Sequence, residues 1–124
     1  MGRRILVAED DPQNMYLVRF LLEKAGYEVL SAGDGEVAVE MARTHKPDLV
    51  LMDMLLPRLD GYEATRMLRD DPGPDLPIVA LTAYSMKGDR EAILEAGCDG
   101  YIAKPIDPER FVAEVESYLG EEEA

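Results

Sequence analysis

Leu49-Val50-Leu51-Met52-Asp53 sets four apolar residues side by side and ends them on a carboxylate. A strand with one wet face alternates apolar and polar residues. This run does not alternate, so both its faces are covered, as in a parallel sheet between two helical layers. The same form stands on either side of it. Ile5-Leu6-Val7-Ala8 ends at Glu9-Asp10, and Ile78-Val79-Ala80-Leu81 ends at Thr82. A shorter run, Tyr101-Ile102-Ala103, ends at Lys104. If these runs are parallel strands of one sheet, their C-terminal ends share an edge. Three carboxylates, a hydroxyl and an ammonium then meet in one crevice.

Working outward, strand-like and helix-like segments alternate along the whole chain. Strands are expected near 4–8, 27–32, 48–52, 77–82 and 99–103 (β1 to β5 in order). Helices are expected near 12–25, 35–44, 61–70, 87–96 and 108–119 (α1 to α5). Asp11 can cap α1, with Pro12 at its first position and Gly26 as its stop. Met15, Val18, Leu22 and Ala25 recur on one face of that helix. Asp107-Pro108 repeats the device for α5, whose apolar face is Phe111, Val115, Tyr118 and Leu119 before Gly120. Five βα units with right-handed crossovers predict an α/β, doubly wound, five-stranded parallel sheet, a (βα)5 flavodoxin-like fold with strand order 2-1-3-4-5. In such sheets the functional crevice lies at the carboxyl ends of the strands, where the strand order reverses.

The chain has 124 residues, which suits one compact domain. A net charge of −13 argues against binding nucleic acid or an anionic membrane, because phosphate surfaces need basic partners. No segment approaches the roughly 20 apolar residues of a membrane span, and the N-terminus lacks a signal-peptide core, so a cytoplasmic location is expected. Cys98 is the only cysteine, which excludes an internal disulfide and reads as a small buried core residue. His45 is the only histidine and sits in the polar stretch Arg43-Thr44-His45-Lys46-Pro47, as a solvated loop residue would.

Glu9, Asp10 and Asp53 repel one another unless a cation neutralises them. Their hard oxygens favour Mg²⁺ or Ca²⁺, and Mg²⁺ leaves room for a phosphate oxygen. Asp53 ends the most apolar strand and is flanked by Met52, Met54, Leu55 and Leu56. As a nucleophile it can take a phosphoryl group to give an acyl phosphate. The cation would cover one phosphoryl oxygen, Lys104 a second, and Thr82 with nearby backbone N–H groups a third. Ala83 leaves space for the group. The Lys104-Pro105 bond is a candidate for the cis form, which would turn the lysine over the crevice.

With these residues in place, the chain resembles the CheY-like receiver domain of two-component response regulators. The matching pieces are ILVAEDD at 5–11, LVLMDMLLPRLDG at 49–61, IVALTA at 78–83, EAGCDGYIAKPI at 95–106, and the final helix. Asn14 and the stretch LTAYSMKGDR at 81–90 look most like DivK-type single-domain regulators, and receivers of hybrid histidine kinases look similar too. The resemblance implies a receiver at 1–120 followed by an acidic tail at 121–124. It implies Asp53 as phosphoacceptor, Asp10 as a direct Mg²⁺ (or Mn²⁺) ligand, Glu9 as a ligand mainly through water, and the Leu55 backbone carbonyl as a further ligand. Thr82 and Lys104 would contact the phosphoryl oxygens, and Tyr101 would swing inward when Thr82 moves. Asp11 falls outside the acidic pair and keeps its role as a cap.

The phosphodonor implied is a histidine kinase or histidine phosphotransfer protein, docking on α1. The output implied is protein–protein binding through the α4-β5-α5 face by a monomer or weak dimer. The chain would then be a signalling receiver rather than an enzyme in the ordinary sense. Leu55 and Tyr84 occupy the variable positions that tune dephosphorylation in the family, and both suggest slow loss of the phosphoryl group. Tyr84, Met86 and Tyr101 are candidates for exposed apolar area on the docking face. The competing reading on the same fold, an FMN or dinucleotide binder, needs a glycine- or hydroxyl-rich loop after β1, where this chain has Glu9-Asp10-Asp11-Pro12. An aspartyl-phosphate phosphatase would carry a second acid two positions after the nucleophile, where Leu55 stands.

Overall fold

The computed structural model describes residues 3–73, 75–83 and 87–119. Tyr84, Met86, Gly120 and the acidic tail lie outside the described residues. Five parallel strands, β1 (Arg4–Ala8), β2 (Glu28–Ala32), β3 (Leu49–Asp53), β4 (Ile78–Thr82) and β5 (Gly100–Ala103), form one sheet in the order β2-β1-β3-β4-β5. The helices are α1 (Pro12–Lys24), α2 (Gly35–His45), α3 (Gly61–Asp70), α4 (Lys87–Ala96) and α5 (Phe111–Leu119). The expected doubly wound fold and strand order are those observed.

Side-chain alternation divides the core in two. Along β3, Leu49 and Leu51 join Val18 and Leu22 of α1 and Phe111 and Val115 of α5 on one side of the sheet. Val50 and Met52 join Ala38 and Val39 of α2, Ala64 and Leu68 of α3, and Ile93 of α4 on the other. The unbroken apolar run is therefore two interleaved half-faces, each with its own helices. Cys98 is buried in the second cluster, as its sequence context implied.

The register levels the functional edge. Ala8 pairs with Met52, Met52 with Ala80, Asp53 with Leu81, and Thr82 with Ala103. Glu9, Asp53, Thr82 and Lys104 thus emerge at nearly the same height, Glu9 and Asp53 from the two strands that flank the reversal and Thr82 and Lys104 from the two beyond β3.

Helix ends follow local chemistry. Asp11 caps α1 by accepting the Gln13 N–H at 2.9 Å. Asp34 and Asp60 cap α2 and α3 through the N–H groups of Val37 and Glu63, each at 2.9 Å. Gly26, at φ 100°, ends α1 as expected. Two details differ from the sequence reading. Ala25 is exposed at the C-cap rather than on the buried face of α1. The regular part of α5 begins at Phe111, not Pro108, because the Asp107 carbonyl is shared by the N–H groups of Arg110 at 3.1 Å and Phe111 at 2.9 Å. Such sharing tightens a first turn. No helix among the described residues is long and apolar enough to cross a membrane.

Candidate functional site

A cleft of about 320 Å³ opens at the carboxyl edge of the sheet, lined by Glu9, Asp10, Asp11, Asn14, Asp53, Leu55, Thr82, Ala83 and Lys104. Each wall has a separate origin. Glu9 and Asp10 follow β1, Asp53 and Thr82 end β3 and β4, and Lys104 follows β5. The Glu9 N–H donates to the Ala32 carbonyl of β2 at 3.0 Å, and the Lys104 N–H donates to the Thr82 carbonyl at 2.8 Å. Sheet hydrogen bonding thus continues through the first residue of each loop and holds these side chains in place. The Lys104–Pro105 bond is cis.

Lys104 Nζ lies 2.7 Å from Glu9 Oε1 and 3.0 Å from Asp53 Oδ2. The Asp53 contact is a hydrogen bond; the shorter Glu9 contact is an ion pair without hydrogen-bond alignment, and Glu9 Oε1 is buried with no hydrogen-bond partner. The side chains are little exposed, at 16% for Lys104, 1% for Glu9 and 9% for Asp53, so bulk water screens these charges weakly. Asp53 Oδ1 accepts the Leu55 N–H at 2.9 Å. Glu9 Oε2 accepts the Asp11 N–H at 3.2 Å.

The electrostatics follow from burial and crowding. Burial raises the Glu9 pKa above its ordinary 4.5; Lys104 works against that rise, and the neighbouring Asp53 adds to it. Burial works against the Lys104 ammonium, but Glu9 and Asp53 outweigh it, and the pKa rises above 10.5. Oxygens of Glu9, Asp10 and Asp53 all lie within 4.8 Å of one another. Three carboxylates face one ammonium here, and one buried oxygen lacks a hydrogen bond. Both features fit a small, hard divalent cation with oxygen ligands.

The structure brings together Glu9, Asp10, Asp53, Thr82 and Lys104. Leu55 stands on the rim, 61% exposed. Thr82 is buried, and the small Ala83 beside it is exposed, which leaves room above Asp53. Tyr101 does not line the cleft. It is half-buried on β5, opposite Ala80, and packs against the α2-α3-α4 side of the core. Asn14, which the sequence marks only through its likeness to DivK-type regulators, belongs to the cleft as well. It lines the cleft from the first turn of α1, with Nδ2 3.4 Å from Asp11 Oδ2. Its place follows from the local cap, since it stands three residues after Asp11 on the turn that leaves β1.

Known proteins share this geometry. A model of the response regulator receiver domain matches residues 5–116. The polar-differentiation response regulator DivK of Brucella anthropi is 44% identical over 122 residues, covering 98% of this chain and 99% of that protein. Among solved structures, the receiver domain of the sensor histidine kinase PA1611 from Pseudomonas aeruginosa superposes with a TM-score of 0.89 at 40% identity, covering 98% of this chain and 100% of that one. That structure carries a magnesium ion coordinated in its active-site cleft. The chemotaxis protein CheY4 of Vibrio cholerae superposes with a TM-score of 0.90 at 25% identity, covering 95% of this chain and 99% of that one.

Proposed function

The chain belongs to the response regulator receiver family, and from that premise we propose that it is a single-domain regulator that takes a phosphoryl group on Asp53 from a histidine kinase or histidine phosphotransfer protein. The observation that carries this reading is the convergence of Glu9, Asp10, Asp53 and Lys104 on one cleft. Residues 1–120 form the receiver in this reading, and 121–124 an acidic tail.

Glu9, Asp10 and Asp53, with the Leu55 carbonyl, are the groups to hold Mg²⁺ (or Mn²⁺). When bound, the ion neutralises charge on a phosphoryl oxygen. A carboxylate oxygen of Asp53 bonds to phosphorus as the P–N bond to the donor's imidazole breaks and its electron pair leaves on nitrogen. The Leu55 N–H holds the other end of the nucleophile in place. The Lys104 ammonium passes from the two carboxylates to a phosphoryl oxygen, and the Thr82 hydroxyl meets another. A flavin phosphate is disfavoured in the same cleft, since three carboxylates would face it.

The product adds negative charge and acceptor oxygens at the sheet edge. Thr82 is drawn toward them, Tyr101 follows inward, and the α4-β5-α5 face changes what it binds. Such a switch shifts a population already present, by no more than the phosphoryl group's preference for the active form. The exposed Leu55 side chain hinders an attacking water, so the aspartyl phosphate decays slowly.

Titration with beryllofluoride or acetyl phosphate in the presence of Mg²⁺, comparing wild type with Asp53→Ala, tests the reading. Modification of the wild type that needs Mg²⁺ and vanishes in the variant supports it. Equal modification of both proteins, or none of either, overturns it.

A further inference from the structure

The loop from Met54 to Asp60 joins the phosphoacceptor strand to α3, and its middle is bent against the preference of its residues. Arg58 holds φ 69°, a left-handed conformation that is unfavourable for a non-glycine residue. The chain closes tightly around it, with the Leu59 N–H donating to the Pro57 carbonyl at 2.8 Å. A turn of this kind persists only where its surroundings over-determine it.

The surroundings come from the β2–α2 turn. The Gly35 N–H donates to the same Pro57 carbonyl at 3.4 Å, and Arg58 Nε lies 3.5 Å from Asp34 Oδ2. Backbone meets backbone so closely at Gly35 that an added Cβ would overlap the Leu59 carbonyl oxygen and stand 2.6 Å from its carbon. The far end of the loop is fixed as well. A Cβ on Gly61 would stand 2.7 Å from the Met54 Cα, and the Gly61 N–H donates to the Met54 carbonyl at 3.2 Å. Met54 and Leu56 are buried in the core on either side of Leu55. The loop is held from both ends, and Leu55 lies between the two attachments.

We propose that Gly35 and Asp34 are positioning residues for phosphoryl acceptance: the β2–α2 turn clamps the loop after Asp53 and so fixes the Leu55 N–H that orients Asp53 and the Leu55 carbonyl offered to the cation. This rests on the metal and phosphoacceptor roles proposed above. A side chain at position 35 must push the Leu59 carbonyl away. Only Leu56, Pro57 and Arg58 separate Leu59 from Leu55, and Pro57, fixed in φ, removes one of the torsions that could absorb the displacement.

The test records the Leu55 amide resonance by NMR in metal-free protein, then a Mg²⁺ titration, for wild type, Gly35→Ala and Asp34→Ser. Gly35→Ala is expected to move the Leu55 resonance and weaken Mg²⁺ binding roughly tenfold or more, as loss of a ligand's support does. Asp34→Ser keeps a capping oxygen for α2 but removes the carboxylate facing Arg58, and a loss of about two- to fivefold is expected. If Gly35→Ala does not fold, Asp34→Ser decides by the same two readouts. Mg²⁺ affinity unchanged in folded variants overturns the proposal, whether or not the resonance moves. A wild type that binds no Mg²⁺ overturns the metal role beneath it. That failure is told apart because the Leu55 resonance reports the clamp without metal.

Discussion

Glu9 shows how one residue can be set for function against stability. Its carboxylate is buried beside Asp53, and burial raises its pKa even against the Lys104 ammonium 2.7 Å from Oε1. A carboxyl with a raised folded pKa contributes stability that is fully present below its ordinary 4.5 and is lost as pH rises through the folded value. Glu9→Gln removes that loss. The metal-free variant is therefore expected to melt at a higher temperature than wild type near neutral pH, while binding Mg²⁺ more weakly. Thermal melts in chelator check the first half, and a lower melting temperature would overturn it. Cys98 shows the opposite case, a residue set for packing. Burial pushes its thiol up to about 11, and Sγ lies 3.7 Å from Thr65 Oγ1. The native protein is expected to resist iodoacetamide at neutral pH and to react only when unfolded. Mass spectrometry of folded, alkylated protein would expose an error.

At the scale of elements, helix starts were open to sequence reading where an aspartate precedes the first turn, as at Asp11. The Asp60 cap tests the energy involved: Asp60→Ala is expected to cost about 1 kcal/mol, measured by denaturant unfolding, with the cleft otherwise intact. A different kind of constraint acts at the opposite edge of the sheet. Arg69 of α3 donates to the carbonyls of Gly97 at 2.7 Å, Gly73 at 3.1 Å and Leu76 at 2.7 Å, and to Asp99 Oδ2 at 3.1 Å. One guanidinium thus ties the end of α3 to the loops that precede β4 and β5. Arg69→Ala strands those carbonyls and is expected to cost about 2–4 kcal/mol in the same measurement, far more than a surface arginine. A cost within experimental error would show that water replaces the guanidinium. Nothing in the sequence marks Arg69: Gly73 and Leu76 are near it in the chain, but Gly97 and Asp99 come from a loop about 30 residues on, and they meet one guanidinium only in the fold.

For the whole molecule, a net charge of −13 leaves the folded state under self-repulsion, strongest where three carboxylates share the cleft. Millimolar Mg²⁺ is expected to raise the melting temperature of the wild type more than the same ionic strength of NaCl. The excess should disappear in Asp53→Ala, because site binding adds to general screening. Equal effects of the two salts would remove the metal site from the account. The sequence by itself determined the sheet, its parallel sense and the edge that carries the chemistry, while the strand order was expected from the fold type. Unbroken apolar runs and residues at their C-termini are local signals, and parallel topology turns them into one place. It also determined which side chains meet there, since Glu9, Asp53, Thr82 and Lys104 each lie at or just past the end of a strand. Only the tertiary structure decided that Lys104 bridges Glu9 and Asp53, that Tyr101 stays off the cleft, and that Gly35 lies under Leu59. Those facts depend on distances between segments remote in the chain, set by how helices and loops pack across the sheet, and no local pattern of residues encodes them one at a time.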